Sequence, residues 1–182
     1  VRALYTGMFQ RIQRAMPVDY YWLWTPEGWT WSGNDAGQFA ATTSDIQAAL
    51  DALEDLGNPF TLATCGWVLG PAHDRAALDA FLPKSSPMSC INRTVGHDGV
   101  EPAFANVTGR PKWAIPWMEN DPNLVGPQPW VARMRHDAVD ARRFGCTGLL
   151  GIHWRTKALE MNVAALAAAA WVGVFEMGVT FL

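Results

Sequence analysis

The chain has 182 residues, is 49% hydrophobic and carries a formal charge of −3 with a pI near 5.8. That is enough apolar material for a sizeable core. A mildly acidic chain without a long basic run argues against nucleic acid or an anionic membrane as the main partner.

Ten tryptophans exceed what core packing ordinarily uses. The three cysteines, Cys65, Cys90 and Cys146, lie in apolar stretches and outside any CxxC or Cys/His zinc spacing. They read as buried free thiols, and no metal or cofactor is expected. No basic start with an apolar core precedes Arg2, so the compartment stays open. The stretch 163–182 is Ala-rich and holds Glu176, which reads as a buried helix followed by an atypical tail rather than a membrane span.

In chain order, residues 1–16 place Leu4, Met8, Ile12 and Met16 on one helical stripe, with Tyr5 and Phe9 beside it, and Pro17 ends the segment. A strand follows over Asp19–Trp24, in which Trp22 and Trp24 are candidates to fill the interface between sheet and helices. Pro26 blocks its continuation and Glu27 comes at once. Residues 28–43 read as a long polar loop, a length that usually signals function. Ser44 with Gln47 forms a capping-box pattern for a helix carrying Ile46, Leu50 and Leu53, with Gly57 as its stop.

Phe60–Cys65 reads as the second strand, and a short helix capped by Asp74 runs through Leu82. Met88–Ile91 is the third strand, residues 93–110 lack helical periodicity, and Lys112–Trp117 is the fourth strand. Pro129–Phe144 has a clear stripe of Val131, Met134, Ala138 and Ala141, with Gly145 just past its end. A fifth strand over Thr147–Ile152 and an Ala-rich helix over Asn162–Trp171 close the pattern. Strands alternating with helices predict an α/β fold with a parallel sheet, either open and doubly wound or a barrel.

No GxGxxG and no GxxxxGK[ST] is present, which weakens a nucleotide-binding sheet. Polar and aromatic residues instead follow each strand: Glu27 with Trp29, Trp67, Asn92 with Arg93, Glu119, and His153 with Trp154. Barrels of (β/α)₈ type build their sites at that end, and a whole one takes about 250 residues and eight strands. Five strands correspond to about strands 4–8, so residues 1–172 are expected to be the C-terminal portion of a TIM barrel. Residues 173–182 are the tail, and the N-terminal half of the barrel is the missing partner.

Three stretches, YYWLWTPE (Tyr20–Glu27), KWAIPWMEND (Lys112–Asp121) and GLLGIHWRT (Gly148–Thr156), resemble the C-terminal part of (β/α)₈ glycoside hydrolases. The likeness is nearest to large polysaccharide-degrading enzymes of the α-glucuronidase and hexosaminidase kind. The resemblance implies a glycosidase acting on an oligo- or polysaccharide, with a secreted location by analogy. It also implies that this portion alone is inactive. In the commonest retaining members the acid/base glutamate follows strand four and the nucleophile strand seven. Counting back from the last strand puts Glu27 and Glu119 there, although Pro26 stands where such enzymes usually carry Asn.

Two carboxyl groups about 5–5.5 Å apart serve retention and about 6.5–9.5 Å apart serve inversion. Indoles around Glu27 would hold a proton on it. Asp121 is the nearest rival to Glu119, with Asp98 and Asp35 behind. Trp29, Trp67, Trp117 and Trp154 are candidate sugar platforms, and Asn92, Asp121 and His153 candidate hydroxyl partners. Arg155 either grips a uronic carboxylate or makes an internal ion pair.

Two other readings stay open. One is a metal-dependent barrel hydrolase using His73, His97, Asp98 and His153. The other is a barrel remnant that binds glycans through its tryptophans without catalysis.

Overall fold

Strict alternation in Tyr20–Trp24 sets the two faces of the sheet. The computed structural model describes residues 1–31, 36–155 and 157–171, which leaves Asp35, Gly33 and the 173–182 tail outside the described residues. Five strands pair in parallel in the order of the chain: β1 (Tyr20–Trp24), β2 (Thr61–Cys65), β3 (Met88–Ile91), β4 (Lys112–Ile115) and β5 (Gly148–Leu149). Between and around them run α1 (Arg2–Ala15), α2 (Gly28–Trp31), α3 (Ala36–Asp55), α4 (Ala77–Phe81), α5 (Val131–Arg143) and α6 (Glu160–Trp171). The fold is therefore α/β, with a parallel sheet alternating with helices. Short 3-10 turns at Thr94–Gly96 and Pro102–Asn106 take the place of a helix between β3 and β4, as the lack of periodicity there predicts.

One face of the sheet carries the main core. Leu62, Met88, Cys90 and Ala114 from the strands pack with Tyr5 and Phe9 of α1, Ile46, Ala49 and Leu53 of α3, Leu78 of α4 and Ala141 of α5. All the crossovers thus lie on one side. Strand order never reverses, so the sheet has no switch point of the kind that divides a doubly wound fold.

The other face of β1 carries Tyr20, Trp22 and Trp24, all exposed, while Tyr21 and Leu23 turn to the core. The two tryptophans expected between sheet and helices point the opposite way. β1 and β4 are three strand steps apart, about 14 Å at about 4.8 Å each. Yet the Tyr20 ring meets Trp113 at 5.0 Å and Trp22 meets it at 6.1 Å. The sheet is curled toward this face. A groove of about 540 Å³ remains between its outer strands, lined by Tyr20, Trp22, Trp113, Gly148 and Leu150. Gly148 is needed here: a Cβ on it would stand 2.4 Å from Trp113 Cδ1. Gly148→Ala is expected to destabilise the fold by about 1–3 kcal/mol through overpacking. A melting temperature equal to that of the wild type would refute this.

Two further sequence expectations are corrected. The buried side of α1 is Tyr5 and Phe9, whereas Leu4 and Met16 are exposed. Phe9 makes edge contacts with Tyr21 and Phe60 at 5.0 and 5.2 Å, and these aromatic pairs set the helix rotation. The polar stretch before Ser44 is helical over most of its length: α3 begins at Ala36, so Ser44 and Gln47 lie inside the helix and cap nothing. Thr42 and Thr43 satisfy their hydroxyls on the carbonyls of Gln38 and Phe39, one turn back. Phe39 packs its ring 5.9 Å from Trp29, anchoring the added turns. Gly57 and Gly145 do adopt positive φ just after α3 and α5, as expected of helix stops.

Candidate functional site at the carboxyl ends of the strands

Because all five strands are parallel, their carboxyl ends share one edge of the molecule, and Glu27, Trp29, Trp67, Asn92, Trp117, Glu119, Asp121, His153, Trp154 and Arg155 fall on the segments beyond them. They do not form one cluster.

At the β1 end, Glu27 is exposed and its carbonyl accepts from Thr30 N as α2 begins. Of the indoles expected around it, Trp29 is turned away. Trp29 is fully buried and turned against Phe39, and its carbonyl accepts from Arg75 Nη1 at 2.9 Å.

A second group joins the ends of β2, β3 and β4. Trp117 is 1% exposed, bridges to Ile152 of the last strand segment and packs against half-buried Trp67, with ring centroids 5.6 Å apart and planes tilted by 38°. Its indole Nε1 donates to the carbonyl of Asn92 at 2.8 Å. Asn92 is buried, and its amide donates to Asp137 Oδ1 at 3.2 Å. Asn92 and Asn106 each begin an Asn-x-Thr glycosylation sequence; Asn92 is buried and Asn106 is exposed.

The third group locks β4 to β5. Glu119 has no exposed surface, and its two oxygens are met by donors. Oε1 accepts from the backbone N–H groups of Trp154 at 2.6 Å and Arg155 at 2.9 Å, and Oε2 from Arg155 Nε at 2.5 Å. Burial alone would raise its pKa. The donors win and hold the carboxyl below its ordinary value. Arg155 also donates to the carbonyl of Gly126 at 2.7 Å, so its guanidinium is engaged inside the protein. Trp154 stands 59% exposed at the rim beside exposed His153, whose Nδ1 lies 2.6 Å from the Arg155 carbonyl. Asp121 is half-buried at the start of the 3-10 turn Asp121–Asn123.

Three residues absent from the sequence reading matter here. Asn162 on α6 is 1% exposed; its amide donates to the carbonyls of Met118 and Gln128, both at 2.7 Å, and its oxygen accepts from Trp130 N. Gln128 accepts from Asn120 N and donates to the Asn123 carbonyl at 2.5 Å. Together they fix the 120–130 loop over the site. Asp137 is the third. Burial pushes its carboxyl up to about 6 against the opposing pull of Arg133, His136 and Asn92. Its place on the inward stripe of α5, beside Met134 and Ala138, was the available signal: an acid on an apolar stripe needs a partner.

Comparison with protein-family models, with curated proteins and with solved structures found no match.

Among the described residues no group of three or more His, Cys, Asp and Glu is placed to hold a metal ion. None of their helices is long and apolar enough to cross a membrane. The cysteines are free, with Cys65 and Cys90 buried and burial raising the thiol pKa of Cys65 and Cys146 to about 11. They stay protonated at neutral pH and are poor nucleophiles. What the edge offers chemically includes the exposed acid Glu27, the enclosed carboxylate Glu119, and the exposed Trp154 indole beside the His153 imidazole.

Proposed function

We propose that the chain is five consecutive units of a (β/α)₈ barrel and that its carboxyl edge is part of a glycoside hydrolase site for oligo- or polysaccharides. The single observation that carries this reading is the singly wound parallel sheet that brings Glu27 and Glu119 to one edge, three strands apart. The curled, aromatic face and its groove support it, since closing such an arc into a ring takes three further strand–helix units. Those units are the partner proposed for the two outer strands. Trp154 supplies a flat apolar platform for a pyranose ring, and His153 a neighbouring hydrogen-bond group.

In this reading Glu27, open to solvent, delivers and takes the proton, and Glu119, held below its ordinary carboxyl value, is the ionised partner at neutral pH. One observation favours a second reading, a non-catalytic glycan-binding surface: both oxygens of Glu119 are already occupied and none of its surface is exposed. Gln substitution of each acid in the complete barrel separates the two. Glu27→Gln is expected to lower kcat by at least about 100-fold, the usual worth of a general acid, while leaving the fold and glycan affinity intact. Trp154→Ala is expected to weaken glycan binding under both readings. Full turnover in Glu27→Gln would remove Glu27 from the chemistry, whereas glycan binding without turnover in the unsubstituted complete barrel would leave only the binding surface. Unchanged affinity in Trp154→Ala would remove the rim from either.

A further inference from the structure

Asp137 lies on the buried side of α5 with 1% exposure. Oδ1 accepts from Asn92, while Oδ2 is buried with no hydrogen-bond partner in the protein. Asn92 is itself fixed from several sides. Its N–H donates to the Ile115 carbonyl at 3.0 Å, its carbonyl receives the Trp117 indole, and its amide also lies 3.4 Å from the Asp98 carbonyl. One asparagine therefore joins a buried carboxyl on a helix to an indole of the carboxyl edge and, by ring packing, to Trp67. A charged oxygen without a donor is costly in such a place, whereas the protonated carboxyl avoids that cost and weakens the bond to Asn92. The two protonation states favour different arrangements of the same junction.

We propose that Asp137 is a titrating positioning residue, whose proton resets the Asn92–Trp117 junction and gives the aromatic wall of the carboxyl edge two pH-dependent settings. Burial carries the carboxyl to about 6, so the change falls in the mildly acidic range. The charged groups acting on it from α5 are Arg133, His136 and Asp140. The 92–100 segment brings Asn92 and the Asp98 carbonyl; the Asp98 carboxylate is held by Thr94 at 2.8 Å with Arg93 at 3.9 Å, and His97 is on the same segment. β4 leads into Trp117 at the junction, and α6, packed on α5, carries the amide of Asn162.

The test is a ¹H–¹⁵N NMR titration of the folded chain over about pH 4.5–8, bracketing ordinary carboxyl and imidazole titration. The Trp117 indole N–H, assigned from Trp117→Phe, and the Asn92 side-chain amide are the reporters. In the wild type both are expected to shift with a midpoint of about 6. That transition disappears in Asp137→Asn and persists in His136→Gln. Its survival in Asp137→Asn, or its loss in His136→Gln, would assign it to another group and overturn the proposal. If Asp137→Asn does not fold, the ¹³C carboxyl resonance of Asp137 in the wild type decides. A midpoint near the ordinary value of about 3.9 ends the idea. Only the folded chain is needed, so the result is separate from whether the edge binds sugar.

Discussion

Arg110→Met is expected to lower folding stability by about 3–5 kcal/mol, the usual cost of stripping one partner from a buried ion pair. The Arg110 side chain has no exposed surface. Its Nε donates to Asp79 Oδ1 at 2.6 Å, Nη1 to the carbonyls of Pro83 and Ser86, and Nη2 to those of Asp79 and Leu82. All these acceptors belong to α4 and the turn that leads into β3, so one guanidinium organises that connection. Removing it takes a donor from each of four carbonyls, of which Pro83 keeps the Ser86 N–H, and leaves Asp79 with Lys84 at 2.9 Å as its remaining cation. Lysine is expected to be nearly as damaging as Met, because a point charge cannot serve four carbonyls and a carboxylate in a planar fork. Chemical denaturation reads the effect directly. A loss under about 1 kcal/mol, the worth of an exposed pair, would show that the connection is held by apolar packing instead. The double variant Asp79→Leu, Arg110→Met is expected to recover part of the loss, since it removes both charges together.

The second large effect is expected at Glu119→Gln, toward the lower end of about 3–5 kcal/mol because Arg155 keeps 19% side-chain exposure. Glutamine preserves the shape but removes the charge that three donors surround. The pH dependence follows from the direction of the shift. The folded carboxyl titrates below its ordinary value, so the unfolded chain binds the proton more readily. The stabilisation is fully present above the ordinary carboxylate range and is lost as pH falls through the lowered folded value. The difference between wild type and Glu119→Gln should therefore be greatest at neutral pH and shrink in acid. A pH-independent difference would show that Glu119 does not hold Arg155 as an ion. This also sets a condition on kinetics: lost turnover in Glu119→Gln counts as catalytic only in protein whose Trp154 and Arg155 N–H resonances remain in place.

Local rules written along the chain were readable where one short segment decides the outcome. The strands from Tyr20, Thr61 and Lys112 carry β-branched or aromatic residues, and Gly57 and Gly145 end helices because few other residues tolerate positive φ there. Rotation of α1 was misjudged because Leu4 and Phe9 are equally apolar on paper, and only the rings of Tyr21 and Phe60 choose between them. The start of α3 is not legible because Gly37, Thr42 and Thr43 are weak helix formers, and the segment is held by back-bonded hydroxyls and by the Phe39–Trp29 contact.

The sequence alone determined the α/β alternation, the strand positions and the polar and aromatic residues that follow each strand, since these depend on neighbours a few positions apart. Which way each side chain faces was decided by tertiary structure. Glu27 and Glu119 are both acids after aromatic strands, yet one is exposed and the other enclosed by Trp154 and Arg155 from a strand end 35 residues away. Trp29 and Trp154 were equal candidates, and one is core while the other is rim. Partners that distant carry no periodic signal. Only the curl of the sheet and the packing of α5 and α6 against it bring them together.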